Sequence, residues 1–230
     1  MNEPSADRVL PEDGPGWHVG VRRGPAASLH GLVPDGSARV AEWYEVERPA
    51  LVLGSAQRDE VVDHEAAAAA GVDVVRRRSG GGVVLLMPGE SLWLDVVVPR
   101  HDPRWDDDVA AAMWWLGDAW CEALHAVGAP SATVHRGALV HTPWSRLVCF
   151  DGIGSGEVLV DGHKAVGISQ RRTRDWVRLQ SSIHLAWQGE LLVSLLAPPA
   201  PTLADLRPPA VHRGDADALR IAVADALASR

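Results

Sequence analysis

The run Arg-Arg-Arg-Ser-Gly-Gly-Gly at residues 76–82 constrains this chain more than any other stretch. Three consecutive glycines carry a large entropy cost in a regular element and offer no side chain to pack, so the backbone must break there. Extended sequence flanks the break. Val-Asp-Val-Val precedes it, and Val-Val-Leu-Leu-Met and Ser-Leu-Trp-Leu-Asp-Val-Val-Val-Pro follow, rich in the β-branched residues that favour strands. Upstream, Ala50 to Leu53 reads as a short strand ending at Gly54, and 58–71 carries a short helix with an alanine run and a terminal Gly71. A sheet bent around a glycine-rich loop is the expected frame. Such a loop lets a backbone approach a ligand, its amides can cradle an anion, and the arginines add charge-assisted donors for carboxylate or phosphate. The plainer alternative is a flexible hairpin with a solvated basic run. The stretch has neither the Lys-Ser/Thr ending of a P-loop nor the spacing of a dinucleotide fingerprint.

Residues 106–128 read as the clearest helix, with aspartates for its N-terminal cap and dipole, apolar Val109, Met113, Leu116, Trp120, Leu124 and Val127 near helical spacing, and Gly128 at its end. Further on, Glu-Val-Leu-Val and Lys-Ala-Val-Gly-Ile-Ser flank Asp161-Gly162, a favoured two-residue hairpin turn. Asp-Trp-Val-Arg-Leu-Gln-Ser-Ser-Ile-His adds another extended segment. The fold class expected is α+β, with mostly antiparallel and mixed sheet flanked by helices. Residues 1–25, rich in Pro, Gly and charge, read as a loose N-terminal arm, 26–196 as the main domain, and 197–230 as a Pro-rich connector with one short amphipathic helix.

Composition excludes several functions. A net charge of −8 disfavours binding to DNA or an anionic membrane surface, and no apolar stretch approaches the ~20 residues of a membrane span. The start lacks a signal-peptide apolar core, making the cytoplasm the expected location. Two cysteines are too few for a disulfide scaffold, and no HExxH or clustered ligand spacing supports a metal site. Cys121 sits mid-helix as packing. The tryptophans fill core, with Trp93, Trp114 and Trp115 as candidate walls of a tunnel. Residues 171–178, with four arginines, form either a basic patch for an acidic partner or a solvated hairpin edge.

Of 22 lysines and arginines, only Lys164 is lysine. Compositional drift toward arginine explains the scarcity, but not which position resisted it. Lysine is a compact ammonium on a flexible stem whose pKa responds to burial, whereas arginine is a fixed planar fork. A site needing a small movable charge excludes the exchange.

The order of the glycine-rich loop, a strand pair, a long helix and the Lys164 strand resembles the catalytic domain of lipoate-protein ligases and octanoyltransferases, in the biotin/lipoate ligase superfamily. Arg76, Arg77, Ser79, Gly80, Gly81 and Gly82 match the family's Arg-Arg-x-Ser-Gly-Gly-Gly stretch. Lys164 matches its lysine, followed by Gly167, Ile168, Ser169 and Gln170. The resemblance implies that these residues bind the activated carboxyl end or nucleotide, and that Lys164 stabilises charge on the acyl carbonyl. It implies attachment of a lipoyl or octanoyl group through an acyl-adenylate, with ATP and Mg, to a lysine of a lipoyl domain of a 2-oxo-acid dehydrogenase complex or a glycine-cleavage carrier protein. An alternative follows from Cys149 in Cys-Phe-Asp, similar to the octanoyltransferase branch. There the thiol accepts octanoate from acyl carrier protein as a thioester, with no cofactor. A buried structural thiol is the plain alternative for Cys149, and a non-catalytic acyl-binding protein for the whole chain. Two features depart from the family: Val83 to Leu86 replace a polar His-Asp segment after the glycines, and Ser181-Ser182 replace a His-Gly pair. The 197–230 segment is also too short for the accessory domain of many ligases, so a separate accessory subunit is a candidate partner.

Overall fold

Two sheets of unequal size organise the chain, whose residues 17–230 are described by a computed structural model. In chain order the elements are β1 (Trp17–Gly24), α1 (Ala26–Gly31), β2 (Arg39–Val46), β3 (Ala50–Leu53), α2 (His64–Ala69), β4 (Asp73–Arg76), β5 (Val84–Leu86), β6 (Ser91–Pro99), α3 (Trp114–Ala126), β7 (Thr133–Val134), β8 (Val158–Val160), β9 (His163–Arg172), β10 (Trp176–His184), α4 (Gly189–Ser194) and α5 (Ala216–Ala228). The large sheet has the order β1-β2-β6-β10-β9-β8-β7 and the small one β4-β3-β5. Pairing is antiparallel except for β1–β2 and β3–β4. The result is the mixed, mostly antiparallel α+β architecture that the sequence implies.

Period-two alternation assigns the two faces of the large sheet. On β6, Leu92, Leu94, Val96 and Val98 pack with Leu116, Trp120 and Leu124 of α3 and Leu219 and Val223 of α5. Trp93, between two of them, joins Tyr44, Val52, Val84, Leu86 and Phe150 in the layer between the sheets. Fully burying each large side chain contributes about 1.5–3 kcal/mol. On β10, Val177, Leu179 and Ile183 enter the helix-side core, leaving the intervening Arg178 and Gln180 for the inter-sheet side, where they meet Asp95 and Ser79. The floor between the two sheets is therefore partly polar, and the site forms there.

Several sequence expectations need correction. Residues 1–16 of the expected loose arm lie outside the described residues, but Trp17–Gly24 is a sheet strand, with Trp17 buried and its indole donating to Leu227 O at 3.2 Å. The 197–230 segment does carry one short helix, α5, which packs into the main core, and Ala210 N donates to Lys164 O at 2.9 Å. The long helix begins at Trp114, because the aspartates are spent earlier. Asp108 Oδ1 caps Ala110 and Ala111, a 3-10 turn follows at Ala111–Met113, and Val109 is exposed. Arg178 does not belong to a surface patch: it is buried in an ion pair with Asp95.

Candidate active site

Local sequence brings two distant loops onto one strand. Asp161 and Gly162 take positive φ values of 51° and 79°, the geometry of the tight turn expected there, which sets Lys164 near the start of β9. The segment before β8 folds back as a 3-10 turn, Cys149–Asp151, laid against the glycine loop: Val83 N donates to Leu147 O and Cys149 N to Val83 O. The close approach requires glycine. A Cβ on Gly82 would lie 2.7 Å from Cys149 N, and one on Gly54 would lie 1.9 Å from Gly81 O.

Lys164 is 5% exposed and its Nζ is enclosed. It donates to Cys149 O at 2.8 Å and Gly152 O at 3.2 Å, and pairs with Glu157 Oε1 at 2.7 Å. Cys149 Sγ lies 3.9 Å away and the Phe150 ring centroid 5.0 Å. Burial disfavours the ammonium, but Cys149 and Glu157 outweigh it and hold Lys164 above the usual lysine range. The amine thus sits directly behind Cys149 and not in open contact with the glycine loop. Cys149 Sγ is the link, 3.7 Å from where a Gly81 Cβ would stand.

A narrow cleft opens between the sheets, walled by Val52, Val84, Leu86, Trp93 and Phe150 and reached by Cys149. Gly167, Ile168 and Ser169 line its β9 side. Ser79 Oγ accepts from Ser169 Oγ at 3.0 Å and donates to Gln180 Oε1 at 2.8 Å, tying the glycine loop to the sheet. The two arginines behave differently from free ligand donors. Arg77 turns back onto Gly80 O (2.8 Å) and Gly82 O (2.9 Å), and Arg76 bonds Gly54 O and Gln57 O and faces Asp59. Arg77 thus braces the glycine loop, and Arg76 the neighbouring turn at 54–57. Gly80 alone of the three glycines has nothing within 4 Å of a would-be Cβ.

Of the three tryptophans considered for a tunnel, only Trp93 lines this cleft. Trp114 donates to Ser155 Oγ, and Trp115 packs near Trp17. Cys121 is half-buried, its thiol donating to Ala132 O at 3.2 Å. Sequence reasoning missed Glu157 and His30. Glu157 accepts from Gly154 N (2.6 Å) and Ile168 N (3.2 Å) besides holding Lys164. Its signal was available only as an acidic residue in an otherwise apolar strand opposite the lone lysine. Nearby His184 is neutral, pushed down to about 4 by burial and by Lys164. Among the described residues, no group of three or more His, Cys, Asp or Glu is placed to hold a metal ion, and no helix is long and apolar enough to cross a membrane.

The two sheets thus face each other across an apolar cleft that Cys149 reaches, with Lys164 buried behind it. The family model for the lipoyl protein ligase A/B catalytic domain matches residues 35–222, and the chain belongs to this family. Three solved structures share the fold. One is a lipoate protein ligase of T. acidophilum with bound lipoic acid (15% identity, 93% of this chain and 85% of that one, TM-score 0.70). A lipoate-protein ligase A bound with ATP is similar at 16% identity over 93% of this chain and 85% of that one, with a TM-score of 0.72. A bipartite lipoate protein ligase from Thermoplasma acidophilum, described with its E2 lipoyl domain, matches at 17% identity over 92% and 84%, with a TM-score of 0.66. The comparison with curated proteins finds no match.

Proposed function

We propose that the protein attaches a lipoyl or octanoyl group to a lysine of a lipoyl domain, or of a glycine-cleavage carrier protein, through an acyl-adenylate made from ATP. The observation that carries this is an apolar cleft reached by Cys149, with the buried ammonium of Lys164 3.9 Å behind its thiol and the glycine loop alongside it. The acyl chain lies along Trp93, Val84 and Leu86, and its carboxyl end meets the bend at Gly80–Gly82. Lys164 supplies fixed positive charge to the carbonyl as the tetrahedral intermediate forms. Its bond to Gly152 O is the longest of its three contacts, so a swing away from that carbonyl gives the acyl oxygen a donor while Glu157 keeps its hold.

The residues around the loop fit a nucleotide's phosphates. Arg171 is held below the usual arginine range by burial and by Arg78 and Arg178, marking a concentration of positive charge beside Ser79 and Ser169. Arg78 is exposed, and among the described residues Arg171 Nη1 has no hydrogen-bond partner. Mg would enter with the nucleotide. A separate accessory subunit is a proposed partner for closing over the adenylate.

A second reading rests on Cys149, whose thiol reaches the cleft 3.9 Å from Lys164 Nζ. In this reading its sulfur attacks the thioester of octanoyl-acyl carrier protein. The acyl–thioester bond to the carrier breaks as the acyl–Sγ bond forms, and the carrier thiol leaves with a proton. One experiment separates the routes. The protein is incubated with lipoate and ATP, or with octanoyl-acyl carrier protein, and its intact mass is read. AMP release with no hydroxylamine-labile enzyme adduct supports the adenylate. A labile adduct lost in Cys149→Ala overturns it in favour of the thioester.

A further inference from the structure

His30, at the end of α1, is 6% exposed and stacks on Trp93 with ring centroids 4.2 Å apart. Both side chains line the cleft. The tautomer follows from the hydrogen bonds. Gln180 Oε1 accepts from Ser79 Oγ, and Gln180 Nε2 donates to Asp95 Oδ2 at 3.1 Å, which fixes the amide. That same Nε2 faces His30 Nδ1 at 3.5 Å, so Nδ1 is the acceptor and Nε2 carries the proton. Among the described residues Nε2 has no hydrogen-bond partner. The ring stays neutral, pushed down to about 3 by burial and by Arg77 and Arg178, and presents one N–H donor. An unpaired buried donor is expensive, and a ligand atom that pairs it gains accordingly.

The sheet register sets Trp93, on which His30 stacks, two strands across from Gly167. Gly167 pairs with Ser182 and Ser182 with Trp93, one row across β9, β10 and β6. Two strand spacings make about 10 Å. At about 1.2 Å of reach per bond, an eight-carbon chain whose carboxyl lies at the β9 side, beside Cys149, ends near Trp93 and His30. Plain hydrocarbon there leaves the N–H unpaired; a distal acceptor does not.

We propose that His30 Nε2–H reads the distal end of the bound acid, donating to a dithiolane sulfur, and so selects lipoyl over octanoyl chains. This rests on the acyl-binding reading above. Its test is calorimetric titration of the whole protein with lipoate and with octanoate, repeated in His30→Leu and in His30→Phe, which keeps a ring on Trp93. Melting curves confirm that the variants are folded. The expected result is that the lipoate-to-octanoate affinity ratio falls about threefold or more in both variants, through weaker lipoate binding with octanoate binding held or improved. An unchanged ratio in a folded variant overturns the proposal alone. So does an equal loss for both acids, which assigns the donor to the carboxyl end. Failure of the wild-type protein to bind either acid overturns the acyl reading and this proposal with it.

Discussion

Replacing Glu157 by Gln removes one charge from a pair that is almost wholly buried, with side-chain exposures of 3% for Lys164 and 5% for Glu157. The ammonium would then rest on two carbonyls, Cys149 O and Gly152 O. The glutamine's single oxygen would also have to serve both Gly154 N and Ile168 N, which now bond separate carboxylate oxygens. Breaking a buried pair costs about 3–5 kcal/mol, which in a domain of this size lowers Tm by about 6 °C or more. The pH dependence carries the sharper signature. Lys164 is held above the ordinary lysine value, so in the wild type its contribution is complete below about pH 10.4 and is lost as pH rises through the folded-state value. In Glu157→Gln the burial penalty is opposed mainly by Cys149, and the deficit relative to wild type shrinks as pH rises from 7 toward 10. Circular dichroism melts across that range measure both effects. A Tm within 1 °C of wild type at pH 7.5, with parallel pH profiles, would refute the assignment of Glu157 as the residue that positions the amine.

Other perturbations follow from the same geometry. Lys164→Arg forces a planar fork into a pocket shaped for one nitrogen among three acceptors, and should lower acyl transfer at least ~100-fold; single-turnover rates measure it, and activity within a few-fold of wild type sinks the role given to the ammonium. Gly54→Ala places a methyl 1.9 Å from Gly81 O, so it should displace the triple-glycine loop and destabilise by about 1–3 kcal/mol; denaturant melts giving an unchanged midpoint would contradict this. His30 and His184 are buried neutral, at about 3 and about 4. Stability should therefore hold above pH ~6.5 and fall by several kcal/mol as pH drops toward 4. A flat profile there, followed by unfolding only below pH 3, would count against their burial.

Much of the frame was readable from residues alone because local rules and packing agreed. The strand ending at Gly54, the extended run that forms β6 and the turn at Asp161-Gly162 needed only β-branched content and turn chemistry. The helix start failed because Asp106 and Asp108 satisfy local amide groups before the helix forms, a competition that a cap pattern does not resolve. Lys164 and Cys149 were found as single residues, but their relation was not. It depends on a 3-10 turn laid against the glycine loop through one bridge between Val83 and Val148, with no local signature. Arg76 and Arg77 illustrate the converse. Basic residues beside glycines look like ligand donors in one dimension, yet here backbone carbonyls take them, those of Gly80 and Gly82 for Arg77 and those of Gly54 and Gln57 for Arg76. His30 lay in a segment without any motif, and only the fold brings it onto Trp93.

The account stands on an acid lying between Trp93 and Cys149 with its carboxyl end toward Lys164. A crystal structure of the protein grown with lipoate or octanoate tests this most directly. The predicted result is continuous density for the chain along Val84 and Leu86, its carboxyl group nearest Cys149 and the glycine loop. Density for the acid at another surface, or reversed with its carboxyl group against Trp93, would contradict it.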